Sequence, residues 1–152
     1  AGCTFGQSFR GVGYKGQTSC GNAPATQDLG GGVLPATPEW KFTLAASYLI
    51  PLTSIPFDLE INGNYRYQDK VQYVIEQDIY TTQDGYGILD LSLVALDHSD
   101  HYTVTLFTKN VFDDWYLTSV NAFATTFTPN GYGHQVPRYA ERTFGVEARY
   151  RW

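Results

Sequence analysis

Three histidines, two cysteines and a few strand carboxylates are the groups in this chain whose types could do chemistry. His98 and His101 lie in the stretch HSDH, a spacing that could bring two imidazoles onto one metal ion. Two donors in a turn fall short of the closed set a zinc site uses, so a solvated turn is the expectation and no metal is assigned. Asp58 and Glu60 project from one side of an alternating segment, as a general acid and its base would have to. Arg66 projects from the same side, and the expected role of these carboxylates is to line a polar wall, paired with Arg66 or with whatever fills the space beside it. The chain has no G-x-S-x-G elbow, no phosphate loop and no dinucleotide fingerprint. It is therefore read as no enzyme, with no catalytic residue and no cofactor. Cys3 and Cys20 bracket TFGQSFRGVGYKGQTS. Their spacing would allow a disulfide closing a Gly-rich loop, worth about 3 kcal/mol in the chain-entropy model. Such a bond implies an oxidising compartment, and two unpaired thiols are the alternative.

The elements that would position these groups alternate with a period of two. In WKFTLAASYLI, Trp40, Phe42, Leu44, Ala46, Tyr48 and Ile50 are the apolar set. After the turn PLTSIP, the segment FDLEINGNYRYQ places Phe57, Leu59, Ile61, Gly63, Tyr65 and Tyr67 against Asp58, Glu60, Asn62, Asn64 and Arg66. YGILDLSLVAL carries Leu89, Leu91, Leu93 and Ala95 on one side, with Ile88, Val94 and Leu96 blurring the other. HYTVTLFTKNVF has Tyr102, Val104 and Leu106. The chain ends on RTFGVEARYRW, where Phe144, Val146, Ala148, Tyr150 and Trp152 alternate with Gly145, Glu147, Arg149 and Arg151. Successive side chains on a strand point to opposite faces of its sheet, so each segment reads as a strand with one apolar face. The expected spans are 40–50, 57–68, 86–96, 102–112 and 139–152. Val71, Tyr73 and Ile75 suggest that the second strand runs on. Residues 1–37 read as a long loop, and no helix has a supported period.

A strand of this kind suits either a soluble sandwich, with its apolar face in the core, or a membrane barrel, with that face in lipid. Charged residues are 16% of the 152, aromatics 16%, and the net charge is -5. The acidic balance disfavours a nucleic-acid partner. No apolar run is long enough for a spanning helix. Met is absent, so the chain is expected to be a processed product, a fragment or the tail of something longer. Connections alternate long and short along the chain, the asymmetry of bacterial up-and-down barrels with short periplasmic turns and long extracellular loops. On that reading, Tyr48, Phe57, Tyr102, Tyr150 and Trp152 collect at the periplasmic interface. Trp40, Tyr65, Tyr67, Tyr86, Trp115, Tyr116 and Tyr139 collect at the outer one. Leu44, Ile61, Leu91 and Val104 fill the strand middles, and this sorting of rings favours a lipid-facing sheet.

The order of LPATPEWKFTLAASYLIPL, GYGILDLSLVAL, YTVTLFTKNVFDDWY and VPRYAERTFGVEARYRW resembles the C-terminal end of TonB-dependent outer-membrane receptors. The stretch CTFGQS with Cys20 and QDLGGGVLP looks like their Cys-paired extracellular loop. The resemblance implies an all-β, antiparallel up-and-down transmembrane barrel of about 22 strands around a plug, of which this chain holds roughly five at the C-terminal end. Residues 1–37 would be an extracellular loop with a Cys3–Cys20 disulfide, and 38–152 the barrel strands. The terminal strand looks like the signal read by the barrel-assembly machinery, carried by Gly145, Ala148, Tyr150 and Trp152. Outer-loop aromatics, Tyr14, Trp115, Tyr116, Phe123, Phe127 and Tyr132, become candidates for ligand contact. The implied partners are the remaining strands and plug, the TonB energy-transducing complex acting through that plug, and the lipid bilayer. The implied place is the bacterial outer membrane with a periplasmic C-terminus. The implied activity is energised uptake of a scarce large solute, a ferric siderophore, cobalamin or an oligosaccharide. A passive porin or oligomeric small barrel, and a soluble carbohydrate-binding β-sandwich, are the alternatives.

Overall fold

The computed structural model describes residues 31–75, 79–123, 131–138 and 140–152, and of Ile79, Ala122 and Phe123 the backbone alone. Cys3, Cys20, Tyr14, Phe127 and Tyr139 lie outside the described residues, as does the Phe123 side chain. The described elements are strands apart from one short 3-10 turn, Ile79–Thr81. In chain order they are β1 (Lys41–Ile50), β2 (Phe57–Gln68), β3 (Val71–Gln72), β4 (Thr82–Gln83), β5 (Tyr86–Asp97), β6 (Tyr102–Lys109), β7 (Ser119–Phe123), β8 (Gly131–Gln135) and β9 (Thr143–Tyr150). Two compact units result. The sheet unit takes residues 40–68, 86–115 and 138–152. The loop unit gathers the described parts of 1–39, 69–85 and 116–137.

The sheet unit is a five-stranded antiparallel sheet in the order β1-β2-β5-β6-β9, open at β1 and at β9. Neighbours in the sheet follow one another in the chain once the loop-unit strands are set aside, so the topology is up-and-down. Short connections, 51–56 and 98–101, stand at one end of the sheet, and the long ones at the other. At the short end the backbone closes tightly, with Asp100 N–H donating to Asp97 O at 3.0 Å and His98 N–H to Pro56 O at 3.1 Å.

Register puts every apolar stripe on the same face. Phe42, Leu44, Ala46 and Tyr48 pair with Tyr67, Tyr65, Gly63 and Ile61. Gly63 and Ile61 pair in turn with Leu91 and Leu93, and these with Thr108 and Leu106. Thr108 and Leu106 pair with Phe144 and Val146 on β9. A slip of one residue would move a whole stripe to the other side, so the apolar pattern itself specifies this pairing. The face is left bare, with Leu44 63%, Leu106 48% and Val146 68% exposed. A continuous apolar face of this extent needs an apolar covering, which for a transmembrane barrel is lipid.

Three expectations are corrected. First, β6 stops at Lys109 instead of running to 112, because Asn110 (φ 51) and Asp113 (φ 60) turn the chain through left-handed conformations. Asn and Asp tolerate these better than other side chains. Second, β2 ends at Gln68; Val71 and Gln72 form a separate strand paired with Gln83 and Thr82. Third, Tyr86 pairs with Gln68 and so shares the polar face with Ile88 and Asp90, not the apolar face where an interfacial ring belongs. Odd and even positions of a strand cannot share a face, and Leu89 to Ala95 take the apolar one.

Candidate functional site

The polar face of the sheet unit is concave at its centre. A trough of about 490 Å³ is lined there by Ser47, Asn62, Asn64, Asp90, Ser92 and Lys109, among others, with Phe107 beside them. Arg66 and Asp90 make an ion pair at 3.0 Å. The expected pairing of Arg66 with Asp58 or Glu60 does not form. Glu60 lies six residues from Arg66 on one strand, about 20 Å at the usual rise. Asp90 is instead a diagonal neighbour across the β2–β5 ladder. Glu60 accepts a hydrogen bond from Ser47 Oγ at 2.9 Å. Asp58 accepts from Leu52 N–H at 3.0 Å and faces His98 Nε2 at 3.0 Å, which ties the two short connections together. His98 is therefore engaged with a carboxylate. His101 stacks on Tyr150 at 6.4 Å.

At the long-connection end the sequence NVFDD folds into a knot of hydrogen bonds. Asn110 is 1% exposed, and its N–H donates to Asp90 Oδ1 at 3.0 Å. Its side-chain amide donates to Asp114 O at 2.9 Å and to Ala140 O at 2.7 Å, while its Oδ1 accepts from Asp114 N–H at 3.1 Å. Asp113 Oδ1 accepts from Arg142 N–H at 2.7 Å, and Asp114 Oδ2 from Gly87 N–H at 3.3 Å. Buried polar groups are costly unless bonded, and this one is bonded on every side. The turn thus fastens β5, β6 and the entry to β9.

Among the described residues, the loop unit pairs β3 with β4 and β7 with β8, and Val71, Leu117 and Val120 are buried. Its segments are braced by buried polar side chains. Gln72 Nε2 donates to Thr81 Oγ1 at 2.9 Å, and Thr82 Oγ1 to Gln72 Oε1 at 2.6 Å. Leu117 is held from both sides, its N–H donating to Gln83 Oε1 at 2.9 Å and its carbonyl accepting from Tyr73 Oη at 2.6 Å. Burial pushes the Tyr73 phenol above its ordinary value, which keeps it a donor. Tyr80, 55% exposed, stands against Tyr132 with ring centroids 6.0 Å apart.

The candidates from sequence fall in different places. Tyr132 and Tyr116 are half-buried in the loop unit, and Trp115 is exposed in the sheet unit. Gly145, Ala148 and Tyr150 lie on β9, with Trp152 exposed beyond its end. Ala148 and Tyr150 are on the apolar face, where Tyr150 meets Tyr102 at 5.1 Å; Gly145 is on the other face, opposite Phe107. The alternation pattern did not single out Tyr80, Gln72, Gln83, Phe107 or Asn110. For Asn110 the turn-forming run NVFDD was an available signal, whereas the two-residue strands that carry both glutamines have no period to read.

An open up-and-down antiparallel sheet with one bare apolar face, one polar face and its long connections gathered at one end is the architecture of a barrel wall. The family described as "TonB dependent receptor-like, beta-barrel" matches residues 4–111. Residues 112–152, including β9, lie beyond the match. No curated protein and no solved structure matches the chain. With most of its length matched, and with the strands in that part paired as a barrel wall, the chain belongs to the TonB-dependent receptor β-barrel family of the bacterial outer membrane.

Proposed function

We propose that the chain is the C-terminal wall of a receptor that takes up a scarce large solute with energy delivered by TonB through a plug. The solute is a ferric siderophore, cobalamin or an oligosaccharide. The observation that carries this reading is the division of the five-stranded sheet into an apolar face for lipid and a polar, concave face with Arg66, Asp90 and Lys109 for the lumen. Two bare edges cannot stand in hydrocarbon, where water does not satisfy their backbone groups. Further strands therefore complete the barrel, and the plug lies against the polar face. The short-connection end is periplasmic, so β9 runs down to a periplasmic C-terminus, where Gly145, Ala148, Tyr150 and Trp152 form the segment read by the assembly machinery.

The long connections are then extracellular, with Trp115 at the start of the last of them. Tyr116 and Tyr132 contribute to solute contact, together with Tyr14, Phe123 and Phe127 from segments outside the described side chains. A Cys3–Cys20 disulfide closes the first loop in the oxidising periplasm and cell surface.

Transport of labelled ferric siderophore, cobalamin and oligosaccharide into cells carrying the full-length receptor tests the reading. Uptake of one of them that stops when the proton-motive force is collapsed, and that is lost in cells lacking TonB, is the expected result. Uptake that is indifferent to both treatments would make the protein a passive porin.

A further inference from the structure

A glycine within a strand weakens it, having no side chain to pack, and marks a bend or a close approach. Gly145 sits in the interior of β9, and its backbone is not in the left-handed region, so conformation does not require glycine there. Space does. Gly145 is the direct ladder partner of Phe107 on β6, and the Phe107 ring lies across it. A Cβ placed on Gly145 would overlap the ring, coming 2.7 and 2.8 Å from its Cε1 and Cε2 atoms. Lys109, two residues along the same face of β6, sets its ammonium 5.6 Å from the ring centroid. That contact favours the ring in place.

The neighbours of Gly145 make the fit selective. The residues of β9 on this face are Thr143, Gly145, Glu147 and Arg149, paired in turn with Lys109, Phe107, Thr105 and Thr103. If β9 slipped by one residue, its apolar face would turn inward. A slip of two would keep the faces correct, and the apolar pattern offers little against it. In either two-residue slip Phe107 would meet Thr143 or Glu147, whose Cβ atoms occupy the space that only Gly145 leaves free. On the apolar face the Tyr65 ring likewise covers Gly87, there from the diagonal position and not from the ladder partner's.

We propose that Phe107 is a positioning residue which selects the register at which the terminal strand docks on β6, with Gly145 as its socket. This rests on the reading of β9 as the segment handled by the assembly machinery, and within that segment it gives Gly145 the added task of receiving Phe107 as the strand pairs. The test uses the full-length receptor in its own outer membrane, with two readouts. One is the amount of heat-modifiable folded barrel. The other is the yield of disulfide between Leu106→Cys and Val146→Cys, which are ladder partners on the apolar face, set against the slipped pairs Leu106→Cys with Phe144→Cys or Ala148→Cys.

Gly145→Ala is expected to lower assembled receptor about five- to thirtyfold, the factor that corresponds to overpacking by 1–2 kcal/mol, and to shift cross-linking toward the slipped pairs. Phe107→Leu in the Gly145→Ala background is expected to restore assembly to within about twofold of the parent, since the smaller side chain frees the socket. The exchanged pair Phe107→Gly with Gly145→Phe is a second rescue that keeps one ring and one socket. If Gly145→Ala is equally defective with Phe107 or with its replacements, and neither rescue recovers the 106–146 cross-link, the proposal is overturned. Separately, if Trp152→Ala and Tyr150→Ala leave assembly untouched, the assembly-segment reading fails, while the rescue of Gly145→Ala still decides whether Phe107 sets the register.

Discussion

The Asn110 side-chain amide donates to the Ala140 carbonyl at 2.7 Å, joining the end of β6 to the residue from which the chain turns into β9. The bond spans thirty residues of sequence, so it acts only after the long connection between β6 and β9 has been formed. The left-handed backbone at Asn110 aims the amide into the turn, and the same residue takes Asp90 through its N–H. One residue thus links β5, the end of β6 and the entry to β9.

Asn110→Ala leaves the Ala140 carbonyl and the Asp114 backbone without their partner, and it puts a Cβ with no compensating hydrogen bond in a left-handed conformation. A loss of about 2–4 kcal/mol is expected, read as a lowered unfolding midpoint of the purified full-length receptor in detergent. Asn110→Gly accepts the backbone conformation and loses only the side-chain bonds. It should recover part of the loss. If the two variants were equally stable and close to the parent, the turn would not carry the strand ends.

Ile61 and Asn62 are adjacent on β2 and on opposite faces, paired with Leu93 and Ser92 respectively. Ile61→Arg places a cation in the middle of the lipid face, at a cost of about 2–4 kcal/mol near the bilayer midplane. Asn62→Arg adds the same charge to the polar trough. The expectation is a severe drop of folded barrel in outer-membrane fractions for Ile61→Arg and a small one for Asn62→Arg. Equal effects would mean that the faces do not divide lipid from lumen.

The loop unit predicts a shared response of two connections distant in sequence. Gln83→Ala removes the acceptor of Leu117 N–H, and Tyr73→Phe removes the donor to Leu117 O. Each should speed amide exchange both in 69–85 and in 116–123, measured on the intact receptor. The Tyr73 phenol adds a pH dependence. Its folded value lies above the ordinary 10.0, so the stability it supplies is fully present below about pH 10 and is lost as the pH rises through the folded value. Tyr73→Phe should abolish the part of the high-pH acceleration that belongs to this link.

The five barrel strands were legible because a half-buried strand repeats every two residues, and the stripes from Phe42 to Val146 then align by pairing alone. What escaped the sequence has a common cause. Two-residue strands such as Val71–Gln72 carry no period, and partners such as Arg66 with Asp90, Phe107 with Gly145 or Asn110 with Ala140 depend on register between strands far apart in the chain. The height of Tyr86 along its strand suits an interfacial ring, yet height does not decide the face. Alternation alone puts Ala148 and Tyr150 on the apolar face of the last strand and Gly145 on the other, while its pairing with Phe107 depends on the register with β6.

Tyr80 and Tyr132 carry the last prediction. Their rings are 6.0 Å apart at an interplanar angle of 34°, on β-hairpin and 3-10 segments braced within the loop unit, and Tyr80 is exposed. A tilted aromatic pair with one exposed ring offers an apolar surface on which a ring-bearing solute can pack. Tyr80→Ala should weaken solute binding by about 3- to 10-fold, the equivalent of one aromatic contact, without changing the amount of receptor in the membrane. Tyr80→Phe keeps the ring and should bind nearly as the parent does. Tyr48→Phe on the apolar face of β1 serves as the control for tyrosine substitution away from the loops. Equilibrium binding of the transported solute to whole cells separates the outcomes: unchanged affinity for Tyr80→Ala would confine this pair to holding the loop unit together.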